Sequence, residues 1–529
     1  MTTNSAEYDY IVVGGGTAGA VVASRLSEDQ DVSVALVEWG PSDEHEPRAL
    51  MLRRWAEMME SEFDLDYRSV PQPRGNSHIR QARARILGGC SSHNTMIAFR
   101  PPARDLEEWV ALGAVGWGPD EFLPYYERLA TNILPVAPQH RNPYLQDVID
   151  AASTALSIPV RERWNPTGFA DGAGFLELGY YPETGARSSS SVDYLHRFAG
   201  NRHNLQLRLE ARAVRILFDG DGDGDGRGSE RRARAVEVTR ADGIRERIAA
   251  RREIILCAGA IDTPRLLLLS GVGPAEGLRD AGVPVVHDLP GVGNNLMDHP
   301  EGLVLWEASA PIPDVGASDW DAIISLRLDP DASAPDILCH IPLMTLADNS
   351  ERLGFVTPRH SLSLTPNVAK PRSRGRVWIE SPDPDRPPLI DYGYFTDPEG
   401  HDEAVLLAGM RMARRVAATQ PMARWVAREV FPGPEVQSDA ELSELARAAH
   451  HTVYHVCGTC RIGAAQDPAA VVDPQLRVRG IAGLRIADAS VFPTITTVNT
   501  VVTVLMVGER AADLIRLGAP ERTAAAGAP

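Results

Sequence analysis

Apolar residues near the start of the chain occur in short continuous runs, a pattern typical of strands buried on both faces. The first run covers residues 8–13, and a glycine-rich segment at 14–19 follows it at once. Residues 20–26 then have the pattern of a helix, and residues 32–37 form a second buried run. This order predicts a β-α-β unit with a glycine-rich turn between its first strand and its helix.

Further along, the pattern changes and then returns. Residues 300–400 carry many prolines between alternating segments, which indicates a β-rich second domain, and after residue 450 the pattern is again that of the first domain. The elements predicted around this region are paired strands at 205–218 and 234–240, a buried strand at 253–258, a helix that opens at 266–270 and a helix at 403–417.

The glycine-rich turn carries the G-x-G-x-x-G spacing of dinucleotide-binding folds. Gly14 allows the tight turn, Gly16 lets the main chain approach a pyrophosphate, and Gly19 lets the helix pack on the strand. Glu38 ends the second strand, where its carboxylate is placed to accept hydrogen bonds from ribose hydroxyls. The fingerprint does not separate NAD from FAD, and a glycine-rich turn near a solvated glutamate is the alternative interpretation.

Composition restricts the partners. The 529 residues, 43% of them hydrophobic, favour a globular protein of two domains. A net charge of −18 argues against nucleic acid or an anionic membrane and is compatible with a cationic small molecule. An odd set of five cysteines predicts no disulfide framework. Because the first residues lack an apolar signal core and no run of about 18 apolar residues exists, we expect a cytoplasmic protein without a membrane span.

Two further segments combine small residues with histidine. Residues 85–94 read Arg-Ile-Leu-Gly-Gly-Cys-Ser-Ser-His-Asn, in which the small residues let the main chain come close to a flat cofactor that His93 is placed to bond. Residues 454–463 read Tyr-His-Val-Cys-Gly-Thr-Cys-Arg-Ile-Gly, and Asn499 follows His455 by 44 positions. The oxidation of an alcohol requires a group that accepts the hydroxyl proton, as a neutral imidazole does, and an amide can orient the substrate.

These segments resemble the signatures of the glucose–methanol–choline (GMC) family of flavin oxidoreductases, Leu-Gly-Gly-x-Ser-x-x-Asn at 87–94 and His-x-x-Gly-Thr-x-Arg-x-Gly at 455–463. Residues 259–274 and 483–490 resemble its second signature and its C-terminal flavin-contacting strand. The resemblance implies FAD as the cofactor, with His455 and Asn499 as the catalytic pair. His93 makes the chain similar to the choline oxidases of this family, in which the residue here carries covalently attached FAD. The alternative is a histidine that caps a turn beside a non-covalent flavin.

The resemblance also implies the fold, an α/β structure in which a Rossmann-like FAD-binding domain carries an α+β substrate-binding domain built on an antiparallel sheet. Both domains are expected to be discontinuous. The FAD-binding domain is expected at 1–155, 205–300 and 450–517, the substrate-binding domain at 156–204 and 301–449, and a flexible tail at 518–529. The cofactor-binding residues that follow are Gly14, Gly16, Thr17, Ala18, Gly19, Glu38, Gly88, Gly89, Ser92, His93, Asn94, Thr95, Ala213, Asp488 and Ala489.

The same resemblance maps a pocket for a quaternary ammonium group onto Glu301, Trp55, Trp320, His340 and Tyr454. A trimethylammonium group donates no hydrogen bond, so aromatic faces and one carboxylate hold it. Taken alone, each aromatic residue is explained by core packing, and Glu301 by a surface position or an ion pair. The joint match favours the pocket.

The implied activity is the oxidation of choline to betaine aldehyde and on to glycine betaine, with O2 reduced to H2O2. A homodimer is the assembly that the resemblance implies. Two alternatives remain open at this point. One is a GMC dehydrogenase or oxidase that acts on another primary alcohol or amino alcohol, and the other is a flavoprotein without catalytic activity.

Four positions depart from the family pattern. Trp39 stands where the family has alanine, and Thr95 replaces a serine near the flavin. Leu362 replaces a pocket phenylalanine, which predicts a roomier pocket. The usual Asn-Pro is Asn499-Thr500, and because proline fixes the chain, its loss is expected to alter flavin contacts or oxygen reactivity.

Three other patterns receive a structural interpretation. Residues 219–230 satisfy the calcium-loop spacing of an EF-hand, but predicted strands flank them where an EF-hand has helices. Cys457 and Cys460 form a C-x-x-C pair inside the histidine motif, and a thioredoxin-like role is rejected. His450 and His451 lie near His455 without the spacing of a zinc site, so no metal is expected.

Overall fold

The computed structural model describes residues 6–166, 169–198, 201–219 and 231–518. Two large sheets dominate it, one mostly parallel and one antiparallel. The predicted α/β fold with a second, antiparallel sheet is thereby confirmed, whereas the division into domains stays a prediction. The EF-hand-like loop and the tail lie almost wholly outside the described residues.

The first sheet combines a parallel half with an antiparallel extension. Its central strand Arg245–Leu256 belongs to both, because its first residues pair antiparallel with Arg231–Arg240 and its last residues pair parallel with Ala6–Val13. The parallel strands lie in the order Leu484–Ile486, Arg245–Leu256, Ala6–Val13, Val34–Val37 and Leu205–Arg208, and the extension is Arg231–Arg240 and Ala211–Phe218, with Ile481–Ala482 beside Arg231–Arg240.

The second sheet provides the opposite wall of the site. The register of its strands places Glu301 opposite Asn367, and Pro300 opposite Thr452. Its strands lie in the order Val426–Phe431, Val304–Ala308, Ser361–Val368, Ile337–Pro342, Trp320–Leu326 and Gly172–Phe175, and Pro300–Glu301 joins Ser361–Val368 to His451–Thr452.

The remaining elements are helices and short strands around the two sheets. None of the helices in the described part of the chain is both long and apolar enough to cross a membrane. The helices are Thr17–Leu26, Pro47–Leu50, Ala103–Ala111, Pro119–Phe122, Pro143–Leu156, Ser190–Tyr194, Gly259–Leu269, Ala275–Asp280, Asp348–Arg352, His401–Ala417, Asp439–Ala449 and Val501–Gly518. The short strands are Tyr67–Arg68, Arg80–Gln81, Ile133–Pro135, Glu177–Tyr181, Ala186–Arg187, Val272–Gly273, His287–Asp288, Asn294–Leu296, Gly375–Trp378 and Leu389–Asp391.

The helix predicted to open at 266–270 begins earlier, at Gly259, and ends at Leu269. Pro264 lies inside it and lacks the N–H that an α-helix directs at the carbonyl four residues back. The hydroxyl of Thr459 supplies the missing bond and donates to Ala260 O at 2.6 Å. A long-range side chain therefore permits a helix that the local sequence argues against.

The single strand predicted at 205–218 is also wrong, because the chain turns at Glu210, whose φ is 52°. Leu205–Arg208 pairs parallel with Val34–Val37 in the first sheet. Ala211–Phe218 alone pairs with Arg231–Arg240, as the predicted hairpin requires.

Two helices from opposite ends of the chain pack against each other. The helix Val501–Gly518 packs on the helix Thr17–Leu26. Within this contact Glu509, which is fully buried, accepts two hydrogen bonds from the guanidinium of Arg25, and the hydroxyl of Tyr194 donates to it at 2.8 Å. The buried charge is thus matched by a cation and a hydroxyl.

Replacing Glu509 by alanine should destabilise the protein strongly. Removing Glu509 takes away the buried carboxylate that Arg25 and the hydroxyl of Tyr194 bond to, and it leaves Arg25 with the more exposed Glu28, so we expect a loss of about 3 kcal/mol in the free energy of unfolding. Thermal melting followed by calorimetry measures the loss. Glu28→Ala is the matched control, since Glu28 also pairs with Arg25 but is half-exposed, and we expect a loss of under about 1 kcal/mol. Equal melting temperatures for the two variants would contradict the structural role of Glu509.

Candidate active site

The carboxyl ends of the parallel strands meet at one edge of the first sheet. The segments that leave these ends are 14–16, 38–40, 257–259 and 487–489. Ligands of open α/β sheets bind at such an edge. A cavity of about 450 Å³ lies here, and a smaller pocket of about 110 Å³ shares Gly14, Glu38 and Asp262 with it.

The larger cavity brings together most of the residues that the sequence singles out. Ala213 lines the smaller pocket, beside Trp39. The predicted residues that line the larger cavity are Gly14, Gly16, Thr17, Ala18, Glu38, Trp55, Gly89, His93, Asn94, Thr95, Glu301, Trp320, His340, Tyr454, His455, Asp488, Ala489 and Asn499.

Two glycine turns face each other across the cavity wall. A Cβ atom on Gly89 would lie 2.7 Å from the Cα of Gly16, so the two turns approach as closely as only glycine allows. Gly19 serves packing instead, because a Cβ there would lie 1.9 Å from Gly14 O. Thr17 and Ala18 line the cavity at the start of the first helix, where free N–H groups favour a phosphate.

Gly88 and Ser92 support the turn that carries Gly89 and are not part of the cavity lining. Gly88 has a φ of 84°, and a Cβ there would lie 2.5 Å from the hydroxyl of Ser191. The hydroxyl of Ser92 donates to Leu87 O at 2.9 Å. These residues, which were expected to bind the cofactor, therefore support the turn that carries Gly89 and His93.

Glu38 and Asp488 fix the loops at the strand ends. Glu38 accepts hydrogen bonds from the N–H of Gly15 at 2.8 Å and of Gly40 at 2.7 Å, and burial raises the pKa of its carboxyl to about 7. Asp488 accepts a bond from the N–H of Gly259 at 2.9 Å, and burial raises the pKa of this carboxyl also. Both carboxylates thus hold the cavity wall in addition to lining it.

His93 is buried at the cavity with an unused ring atom. Its Nδ1 has no hydrogen-bond partner among the described residues. Burial lowers the pKa of His93 to about 4, and the cations Arg83 and Arg187 add to this effect against Asp64. At neutral pH the ring is therefore uncharged and one of its nitrogens holds a free lone pair.

Hydrogen bonds fix the tautomers of two histidines at the other end of the cavity. His299 Nε2 lies 3.0 Å from Ala369 O and 3.1 Å from Thr496 O, and since carbonyls only accept, this nitrogen carries a proton. Burial lowers the pKa of His299 to about 3, so its Nδ1 is an acceptor and takes a bond from Nδ1–H of His455 at 2.8 Å. Nε2 of His455 is then unprotonated and accepts from Nδ2 of Asn499 at 3.2 Å.

The state of His455 follows from its surroundings. Burial, with His299, His340 and Arg83 nearby, lowers the pKa of His455 well below its usual range. Its main-chain N–H donates to Asp298 at 2.7 Å, and the residue before it, Tyr454, has a φ of 63°. The ring is thus a neutral base whose unprotonated nitrogen, Nε2, accepts from Asn499 in this structure.

The polar groups form a row in which each contacts the next, and after His299, His455 and Asn499 come His340 and Glu301. His340 Nε2 donates to Asn499 Oδ1 at 3.4 Å, and its Nδ1 lies 3.2 Å from Glu301 Oε1. Only 4% of Glu301 is exposed, so its carboxyl group lies in the interior. Burying a charge is costly unless a partner compensates it.

Three aromatic residues line the cavity near Glu301. Trp55 is held by a hydrogen bond from its Nε1 to Ser318 O at 2.9 Å. Trp320 packs edge-on against His340, with ring centroids 5.8 Å apart. Burial raises the pKa of Tyr454 well above its usual range, so its phenol stays neutral. A carboxyl group and three aromatic rings in the lining of one cavity are the groups that recognise a quaternary ammonium.

The cavity also contains residues that the sequence does not reveal. Arg83 donates from Nη2 to Tyr454 O at 2.8 Å and from Nη1 to Cys90 Sγ at 3.5 Å. Met59, Met344 and Leu346 line the cavity as well. His299 lies behind the cavity wall, where no motif marks it, and sets the tautomer of His455. Apolar residues in irregular loops carry no motif, and the partners of His299 lie 70 or more positions away.

The expectation for Leu362 is wrong. Leu362 does not line the cavity but is buried in the second sheet, where it pairs with Trp306. Sequence position alone placed it in the pocket, whereas strand register turns its side chain into the core.

The remaining patterns take no part in the cavity as metal or redox sites. Ala211–Phe218 and Arg231–Arg240, which flank the EF-hand-like segment, are antiparallel strands. The thiols of Cys457 and Cys460 are free, and burial raises the pKa of both. Among the described residues no cluster of three or more His, Cys, Asp or Glu is arranged to hold a metal ion.

The comparisons agree with this geometry. The GMC oxidoreductase family models match residues 8–301 and 371–508. Choline oxidase of Arthrobacter globiformis is 46% identical over 528 residues, which cover 96% of this chain and 94% of that protein. Oxygen-dependent choline dehydrogenase 1 of Chromohalobacter salexigens is 33% identical over 560 residues, 97% of this chain and 96% of that protein.

Solved structures share the fold across the whole chain. Pyridoxine 4-oxidase from Mesorbium loti has a TM-score of 0.88 and 28% identity, with 97% of this chain and 100% of that one covered. Formate oxidase has a TM-score of 0.86 at 24% identity, over 98% and 99% of the two chains. The chain belongs to the GMC oxidoreductase family and is an FAD-dependent oxidoreductase that acts on CH–OH donors with oxygen as acceptor.

Proposed function

We propose that the protein is a choline oxidase. The observation that carries the proposal is the buried carboxyl group of Glu301, which lines the same cavity as Trp55, Trp320, Tyr454 and His455. A cation without hydrogen-bond donors satisfies such a group, and the aromatic faces add attraction. The 46% identity to choline oxidase of Arthrobacter globiformis supports the same substrate.

The polar row supplies the groups that the reaction needs. The trimethylammonium group binds at Glu301, and the hydroxyl group lies at the unprotonated Nε2 of His455, which accepts its proton. Asn499 donates a hydrogen bond toward the same region from its amide. FAD, when bound, would supply the acceptor for the hydride that leaves the alcohol carbon.

The residues of the cavity fit FAD. Gly16 and Gly89 line the cavity without side chains beside the start of the first helix, where a pyrophosphate would bind, and the smaller pocket at Ala213 and Trp39 continues the cavity beyond Glu38, the expected ribose position. We propose that His93 is bonded to the flavin, because a neutral imidazole with an unpartnered nitrogen is a nucleophile at the cavity wall.

The second oxidation uses the same site. Hydrated betaine aldehyde is again a cationic alcohol, so Glu301 and His455 take the same roles as for choline. Each turnover transfers two electrons to oxygen, which gives H2O2, and the final product is glycine betaine. The protein is proposed to be a homodimer, which light scattering of the purified protein tests.

Substrate charge is tested with Glu301→Gln and a matched pair of alcohols, choline and its uncharged isostere 3,3-dimethylbutan-1-ol. Losing a buried countercharge should lower kcat/KM for choline about a hundredfold and leave the neutral alcohol within about threefold. Glu60→Gln is the control, because Glu60 also lines the cavity but is exposed. Equal losses for both alcohols in Glu301→Gln would exclude a cation site.

The tautomer assignment is tested with His299→Leu. The leucine removes the acceptor of Nδ1–H, which frees His455 to move its proton to Nε2 and block proton acceptance. We expect anaerobic flavin reduction by choline to slow about a hundredfold. His299→Gln keeps an acceptor and should restore part of the rate. The proposed role fails if both variants reduce flavin at the same rate, or if they lose binding of glycine betaine as well.

The covalent bond is tested by acid precipitation of the holoenzyme. We expect the yellow colour to stay in the protein pellet of the wild type and to move to the supernatant for His93→Ala. Thermal melting of both proteins controls for loss of fold. Flavin found wholly in the wild-type supernatant would rule out the bond.

A further inference from the structure

Arg187 is a buried cation without a carboxylate partner. It is 1% exposed and makes no ion pair within the described part of the chain. Its guanidinium donates only to oxygens of neutral groups, Ala49 O at 2.9 Å, Leu52 O at 3.5 Å, Ser91 O at 3.3 Å, Asn94 Oδ1 at 3.4 Å and, at short range, Asn94 O. A buried charge held in this way is costly, and such groups cluster at functional sites.

Arg187 donates hydrogen bonds to residues on both sides of His93 in the sequence. Ser91 and Asn94, two residues before His93 and one after it, both bond to the same nitrogen, Nη1. The other guanidinium nitrogens, Nε and Nη2, bond to the carbonyls of Ala49 and Leu52, in the segment that continues to the cavity wall. The fork therefore ties the loop of His93 to a second segment on the other side of the guanidinium.

The charge of Arg187 acts in the same direction as its contacts. A cation close to an imidazole disfavours the second proton on the ring, which keeps a nitrogen lone pair available. Arg83 acts similarly from the side of Cys90. The two arginines thus surround a histidine that must stay neutral to act as a nucleophile.

We propose that Arg187 is the positioning residue for covalent attachment of FAD, since its hydrogen bonds to Ser91, Asn94, Ala49 and Leu52 fix the loop of His93. The inference rests on the proposed histidyl–FAD bond. In that reaction a nitrogen of His93 forms a bond to the methyl carbon at flavin position 8. The nitrogen supplies the electron pair of the new C–N bond, and the proton of the imidazole N–H is released. One C–H bond of the methyl group breaks, its proton is released as well, and its electron pair passes to the flavin ring, which is thereby reduced by two electrons. Dioxygen then reoxidises it and becomes hydrogen peroxide.

The test compares Arg187→Met, Arg187→Lys and the wild type as purified flavoproteins. Methionine keeps the length but loses the charge and the fork, and lysine keeps only the charge. We expect Arg187→Met to bind FAD but to hold at least about tenfold less of it covalently after acid precipitation, with Arg187→Lys between the two. Arg485→Met is the stability control, because Arg485 is equally buried but pairs with Glu253 in the first sheet.

A pH profile separates charge from geometry. Purified protein is incubated with FAD, and the rate of attachment is followed from acidic to neutral pH. Losing the cation raises the pKa of His93, so in Arg187→Met the attachment rate should begin to fall at a higher pH than in the wild type. In Arg187→Lys the rate should be lower at every pH, but it should begin to fall at the wild-type pH.

The outcomes distinguish the two proposals. If the wild type holds no covalent flavin, the histidyl–FAD bond fails, and this role of Arg187 fails with it. If the wild type holds it and Arg187→Met attaches FAD at the wild-type rate and pH, only the role of Arg187 is overturned. Should Arg187→Met not fold, a wild-type rate in Arg187→Lys overturns the role of the fork, and a slowed rate that begins to fall at the wild-type pH supports it.

Discussion

The reactive end of the cavity depends on two main-chain carbonyls. Ala369 O and Thr496 O can only accept hydrogen bonds, and they hold the proton of His299 on one nitrogen. From this the tautomer of His455 follows, in which Nδ1 carries the proton and Nε2 is unprotonated. Burial makes the arrangement stable, because it disfavours an additional proton on either ring. The two carbonyls, not a carboxylate, thus orient the base.

The two sheets contribute different halves of the chemistry. The strand ends of the first sheet carry Gly16, Glu38 and Asp488, and the two carboxyl groups accept hydrogen bonds from main-chain N–H groups that hold the loops of the cofactor end. The second sheet contributes Glu301 and His340 through the register of its strands. Specificity and cofactor chemistry are therefore separable, and a change in one wall leaves the other in place.

Sequence reasoning reached the parts of the molecule whose geometry is local. The turn at Gly14 and the segment that ends at His93 are short, contiguous and sterically demanding, so their residue types predict their structure. His299 acts through the carbonyl of Thr496, 197 positions away, and no spacing rule contains that contact. The helix at Gly259 likewise depends on a hydroxyl from Thr459. Leu362 was misplaced because strand register, which decides the face of a side chain, is set by the whole sheet.

The late position of Leu484–Ile486 has a consequence for synthesis. This strand is the parallel neighbour of the apolar end of Arg245–Leu256, residues 254–256, so for more than two hundred residues of translation that end has one unpaired edge. Exposed strand edges invite pairing with other chains. A ribosome-bound intermediate of this protein therefore exposes an unpaired edge until its last segments emerge, and at that stage pairing with another chain competes with folding.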